Sequence, residues 1–145
     1  MTLKLLQPGD IPAVAALEAQ CFHTPWSAAA LAYLTGSDAF GVVCLDEGGA
    51  ALAYAGITVS FDDGALTNVA TAPAARRQGV ASWLLEALKR QAAERGAAQL
   101  FLEVRASNEA AQALYASSGF EPCGRRPQFY REPTEDALLY RAVLG

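Results

Sequence analysis

The stretch from residue 67 to 96, TNVATAPAARRQGVASWLLEALKRQAAERG, constrains this chain more than any other. A short apolar strand feeds an Arg/Gly turn, and the turn opens a long helix whose Val80, Leu84, Ala87 and Leu88 share one face. The first N–H groups of a helix have no partner inside it, and the helix dipole leaves partial positive charge there. The turn from Arg76 to Ala81 therefore suits an anion, such as a phosphate. Gly79 and Ala81 leave room for close approach to the backbone, and Arg76 and Arg77 add fixed charge. No Gly-Lys-Ser/Thr follows and no G-x-G-x-x-G is present, so the turn is neither a P-loop nor a dinucleotide fingerprint. The competing reading is a pair of solvated arginines ahead of an ordinary helix.

The remaining elements are punctuated by turn and cap residues. Leu3 and Leu5 alternate with Lys4 as a first strand, and Asp10 is positioned to cap a helix carrying Val14, Leu17 and Cys21 inward. Ser27 caps a second helix with Leu31 and Leu34, ended by Gly36. Residues 39 to 45, 50 to 60 and 65 to 71 read as strands, joined by Asp46-Glu47-Gly48-Gly49 and Asp62-Asp63-Gly64. After the long helix, residues 100 to 104 form a buried strand, and Ser107 or Asn108 caps a helix closed by Gly119. Strands near 120 to 126 and 136 to 143 finish the chain, with Pro127 to Thr134 between them. The order βααβββαβαββ predicts an α/β (α+β) fold: a mixed, mostly antiparallel sheet of about seven strands flanked by about four helices.

With 145 residues and 52% hydrophobic content, the chain reads as a single domain, 1 to 145, able to bury a proper core. A net charge of -4 argues against general nucleic-acid binding, which needs a basic face. Cys21, Cys44 and Cys123 are scattered and odd in number, so no disulfide framework, zinc site or other metal is expected, and a reducing cytoplasm is. MTLKLLQPGD shows no signal-peptide pattern, and polar residues interrupt the apolar stretch from 19 to 37, so no membrane association is expected.

Glu103 stands out as a carboxylate inside Leu-Phe-Leu-Glu-Val, where its neighbours belong in a dry core. It is paired, for instance with Arg105, or it lines a cleft as a general base. Tyr115, on the next helix, is either a half-buried aromatic or an acid whose phenol, near ~10, can protonate a departing thiolate. Asn108 is a helix cap that could also hold an amide-bearing cofactor arm. His23 has no legible triad partners and reads as a loop residue.

The spacing Arg76-x-x-Gly79-x-Ala81 resembles the acetyl-CoA loop of the GNAT N-acetyltransferases. CFHTPWS (21 to 27), LTNVATAP (66 to 73), RRQGVASWLL (76 to 85), LEVRASNEAAQALYASSGF (102 to 120) and YREPTEDALLY (130 to 140) extend the resemblance. Together they are similar to the RimI-type ribosomal-protein-alanine branch of that superfamily. The resemblance implies acetyl-CoA as co-substrate, held by Val69, Ala70 and Thr71, by the loop Arg77, Gln78, Gly79, Val80, Ala81 and Ser82, and by Asn108. It matches Glu103 to the general base and Tyr115 to the general acid of a direct attack on the thioester. Trp26, Tyr33, Phe129 and Tyr130 are expected to line the groove for the partner, the N-terminus of a protein, typically alanine of a small-subunit ribosomal protein. The chain departs from the usual Tyr-Tyr pair at Phe129-Tyr130, and carries Thr71 where valine is usual. An acetyltransferase for lysine side chains or small amines, and a non-catalytic acetyl-CoA-binding module, are the alternatives, since fold alone does not set function.

Overall fold

The computed structural model describes residues 1 to 144. Its strands are β1 (Thr2–Leu5), β2 (Ala39–Leu45), β3 (Ala51–Ser60), β4 (Asp63–Thr71), β5 (Gln99–Arg105), β6 (Glu121–Tyr130) and β7 (Glu135–Val143). Its helices are α1 (Ile11–Cys21), α2 (Ala28–Ala32), α3 (Val80–Glu94) and α4 (Glu109–Ser117). The strands form one sheet in the order β1-β2-β3-β4-β5-β7-β6. The β4–β5 pair is parallel; the other neighbours run antiparallel. The expected order of strands and helices is the observed one.

β2 and β3 are buried on both faces, which is why AFGVVCL and ALAYAGITV lack an apolar/polar alternation. On one face Phe40, Val42, Ala55 and Ile57 pack against Val80, Leu84, Leu85 and Leu88 of α3. On the other, Val43 and Tyr54 pack against Val14, Leu17, Leu31 and Leu34 from the α1–α2 side. The apolar stripe read along α3 is buried, with Val80 at 4%, Leu84 and Leu88 at 0% and Ala87 at 8% exposure.

Three local expectations change. Asp10 occupies the N-cap position of α1, but its side chain makes no capping bond; its carboxylate accepts the Gln7 N–H at 2.9 Å and pairs with Lys4 at 2.9 Å, pinning the turn after β1 instead. Strand β6 runs on to Tyr130, through the stretch expected to be a loop. An edge strand tolerates Pro127, and a register shift between Arg126 and Tyr130 absorbs the irregularity. Cys21, expected to point inward from α1, is only half-buried, and Cys123 lies exposed on β6.

The feature that creates a site is the splay between β4 and β5. Their parallel pairing covers only Asp63↔Gln99, Gly64↔Leu100 and Ala65↔Phe101. A β-bulge at Thr67 lies just beyond, since Gly56 pairs with Asn68 and Ile57 with Leu66. Bulges bend the strand that carries them. The two strands then separate, leaving main-chain groups on their facing edges free to bond something else.

Candidate active site

A cleft of about 300 Å³ occupies the splay. Its walls are Leu66 to Val69 of β4 and Leu102 to Arg105 of β5. Asn108, Ala111 and Tyr115 close one end from α4, while Glu18, Phe22, Thr24 and Trp26 enter from the α1–α2 side and Tyr130 from β6.

Glu103 and Tyr115, which come from separate elements, line this same cleft. On β5, Leu100, Leu102 and Val104 are buried while Glu103 alternates to the other face and is exposed. The ion pair considered for it does not form among the described residues. Arg105 bonds Glu135 of β7 at 3.2 Å and lies over the Tyr130 ring at 4.5 Å. Glu135 also accepts the Ser107 N–H at 2.5 Å, and the Ser107 hydrogen bond, ahead of Arg105, holds its carboxyl below the usual range. β7 thus braces the β5–α4 turn that carries Asn108.

Tyr115 is 8% exposed and packs against Phe120 and Tyr140 at ring separations of 5.9 and 6.4 Å. Burial first, then Tyr130, pushes its phenol up to about 12. The Tyr130 phenol is also raised, by burial and then by the Glu103 charge. These groups share one poorly solvated neighbourhood with a carboxylate at its edge.

At the head of α3 the backbone does what an anion site requires. Arg77 has φ 65 and Gly79, the N-cap, φ 76, so the chain turns through left-handed conformations just before the helix begins at Val80. Gly79 has no capping side chain, and a Cβ added there would meet nothing within 4 Å. Open space above unpartnered helix N–H groups fits a phosphate. Arg76 is exposed, and its Nε donates to the Thr71 carbonyl at 3.2 Å, tying the turn to β4.

Of the residues expected at the site, Glu103, Tyr115, Val69, Asn108, Trp26 and Tyr130 line the cleft. Asn108 also caps α4, accepting the Ala111 N–H at 3.1 Å. Ala70, Thr71 and the loop Arg77, Gln78, Gly79, Val80, Ala81 and Ser82 lie outside its walls, along β4 and at the start of α3. Tyr33 is 67% exposed at the end of α2 and Phe129 45% exposed against Tyr130, and neither lines the cleft. His23 is exposed in the loop after α1. Sequence reasoning missed Glu18, Tyr54 and Asn68. Glu18 was legible as a charge at i, i+3, i+7 with Ile11 and Val14, on the apolar stripe of α1.

Among the described residues no cluster of His, Cys, Asp and Glu could hold a metal, and no helix is long and apolar enough to cross a membrane. Residues 11–120 match the acetyltransferase (GNAT) family. The chain is 38% identical over 140 residues to the ribosomal protein bS18-alanine N-acetyltransferase of Escherichia coli, spanning 95% of this chain and 94% of that one. The crystal structure of the Escherichia coli enzyme of that kind superposes with a TM-score of 0.89 at 35% identity, covering 99% of this chain and 94% of its own. A phosphinothricin acetyltransferase from Sinorhizobium meliloti, solved in complex with AcCoA, shares the fold at a TM-score of 0.83 and 23% identity, covering 99% of this chain and 88% of its own. A sheet splayed at β4–β5, a left-handed turn at the head of α3 and these relatives agree: the chain belongs to the acetyltransferase (GNAT) family and is an N-acetyltransferase.

Proposed function

We propose that this chain transfers an acetyl group from acetyl-CoA to the N-terminal α-amine of a protein, with an N-terminal alanine of a small-subunit ribosomal protein as its substrate. The observation that carries the reading is a carboxylate from β5 and a phenol from α4 lining one cleft between separated strands. The Escherichia coli relative's own substrate supports the choice of protein. The free cysteines suit a reducing cytoplasm, where we set its work.

Each step assigned to the chain follows from its residues. The α3 head and its preceding turn bind the diphosphate through Val80, Ala81 and Ser82 N–H groups, with Arg77 adding charge. Main-chain groups of Val69 to Thr71 on the edge facing β5 hold the rest of the carrier, the Thr71 carbonyl being already taken by Arg76, and Asn108 bounds it from the start of α4. Bound acetyl-CoA supplies the activated acyl carbon. Glu103 takes the proton that the incoming ammonium must lose. An α-amine titrates near ~7.7 to 8.0 and a lysine near ~10.4, so one carboxylate discharges the former far more readily. Tyr115 donates its hydrogen toward the departing sulfur. With its phenol at about 12 and a thiol near ~8.5, full transfer runs uphill, so the phenol acts chiefly as a hydrogen-bond donor that steadies the thiolate.

The test is mass spectrometry of a small-subunit ribosomal protein incubated with the chain and acetyl-CoA. One acetyl group on the N-terminal alanine is expected. Labelling confined to internal lysines or free amines points to the other acetyltransferase classes, and acetyl-CoA binding without thiol release to a non-catalytic module.

A further inference from the structure

A second carboxylate, Glu18, lines the cleft and has no part in the steps above. It is 1% exposed, on the buried stripe of α1. A buried carboxylate is tolerable only when its lone pairs are taken. Glu18 Oε1 accepts the backbone N–H of Trp26 at 2.9 Å, and Oε2 accepts the Tyr54 hydroxyl. Tyr54, on β3, is fully buried; burial and Glu18 raise its phenol, while the Asn68 side chain pulls the other way, as an amide N–H donor to the phenol oxygen does. Asn68 Oδ1 is then left buried without a hydrogen-bond partner, on a residue that itself lines the cleft.

One side chain therefore ties the loop after α1 to strand β3. The loop has no regular secondary structure between Phe22 and Ser27, yet it carries Phe22, Thr24 and Trp26 into the cleft. Phe22 and Trp26 are 42% and 37% exposed, so little packing holds them from outside. The Glu18 contact is what anchors the Trp26 backbone.

We propose that Glu18 is a positioning residue for the peptide side of the cleft: by clamping Trp26 to Tyr54 it sets the wall that meets the substrate's first residue. This rests on the N-terminal acetylation reading. The clamp works by hydrogen bonding. Glutamine in its place can accept the Trp26 N–H and donate to the Tyr54 oxygen, whose hydrogen goes to Asn68 Oδ1 once that amide flips. Glutamine therefore rescues what alanine loses.

Steady-state constants for an Ala-first peptide and for acetyl-CoA test this in the full chain, Glu18→Ala, Glu18→Gln and Tyr54→Phe. Glu18→Ala is expected to raise the peptide KM about tenfold or more and to leave the acetyl-CoA KM within about twofold. Glu18→Gln stays within about threefold of the parent, and Tyr54→Phe falls between. A folded Glu18→Ala chain with the parent's peptide KM, or with both constants raised alike, overturns the proposal. Where Glu18→Ala does not fold, an unchanged peptide KM in Tyr54→Phe does the same. The chain has two tryptophans, so in a Trp83→Phe background the Trp26 emission reads the clamp without turnover. It shifts to the red in Glu18→Ala and not in Glu18→Gln; an emission unmoved in Glu18→Ala refutes the clamp. A parent chain that acetylates no N-terminal peptide defeats the functional reading instead, and the emission pair still decides the role of Glu18.

Discussion

Burial at Tyr115 works in two directions. Below its raised value the phenol keeps its hydrogen at every physiological pH, which is what a donor to a thiolate needs. The same burial makes the fold sensitive to alkali. The folded phenol titrates at about 12 and an unfolded one near ~10, so its contribution to stability is complete below ~10 and is lost as pH rises through the folded value. Urea midpoints are expected to fall over that window, and to fall less steeply in Tyr115→Phe. Tyr54 adds to the trend, since its phenol is also raised by burial. In catalysis, Glu103→Gln should lower kcat by roughly 10² to 10⁴ while calorimetry finds acetyl-CoA binding unchanged. Glu103 was legible because a carboxylate in an apolar strand needs a reason. Tyr54 was not: within ALAYAGITV it is one more strand aromatic, and only the packed sheet reveals that its hydroxyl meets Glu18.

Among the elements, the junction of β4 and α3 was read most completely. Strand, turn and helix stand where the pattern put them, because the apolar stripe and Gly79 each leave few alternatives. At Gly79 a side chain has room but not the right dihedral. Gly79→Ala should therefore lower stability by about 1 kcal/mol through strain alone. It should also weaken acetyl-CoA, so the thermal shift given by added acetyl-CoA is expected to shrink below the parent's. The β4–β5 splay could not be read in advance. It depends on which strands are neighbours and on a bulge at Thr67, and neither leaves a mark on the local apolar pattern. The extent of β6 was hidden for a related reason, since Pro127 signals a turn unless the strand lies at an edge.

For the whole molecule, the sheet joins two apolar clusters, one under α3 and one under α1 and α2. β2 and β3 contribute to both, so damage on one face is felt on the other. Leu84→Ala, at a fully buried site, should cost about 2 to 5 kcal/mol. Circular dichroism and tryptophan fluorescence should report a single coincident urea transition. The position of β7 has a further consequence. It slots between β5 and β6, and its Glu135 grips both Arg105 and Ser107. During synthesis, β5 and α4 leave the ribosome well before the strand that braces them. A nascent chain that has reached Thr134 thus owns every proposed reacting group while the strand whose Glu135 braces the β5–α4 turn is still to come.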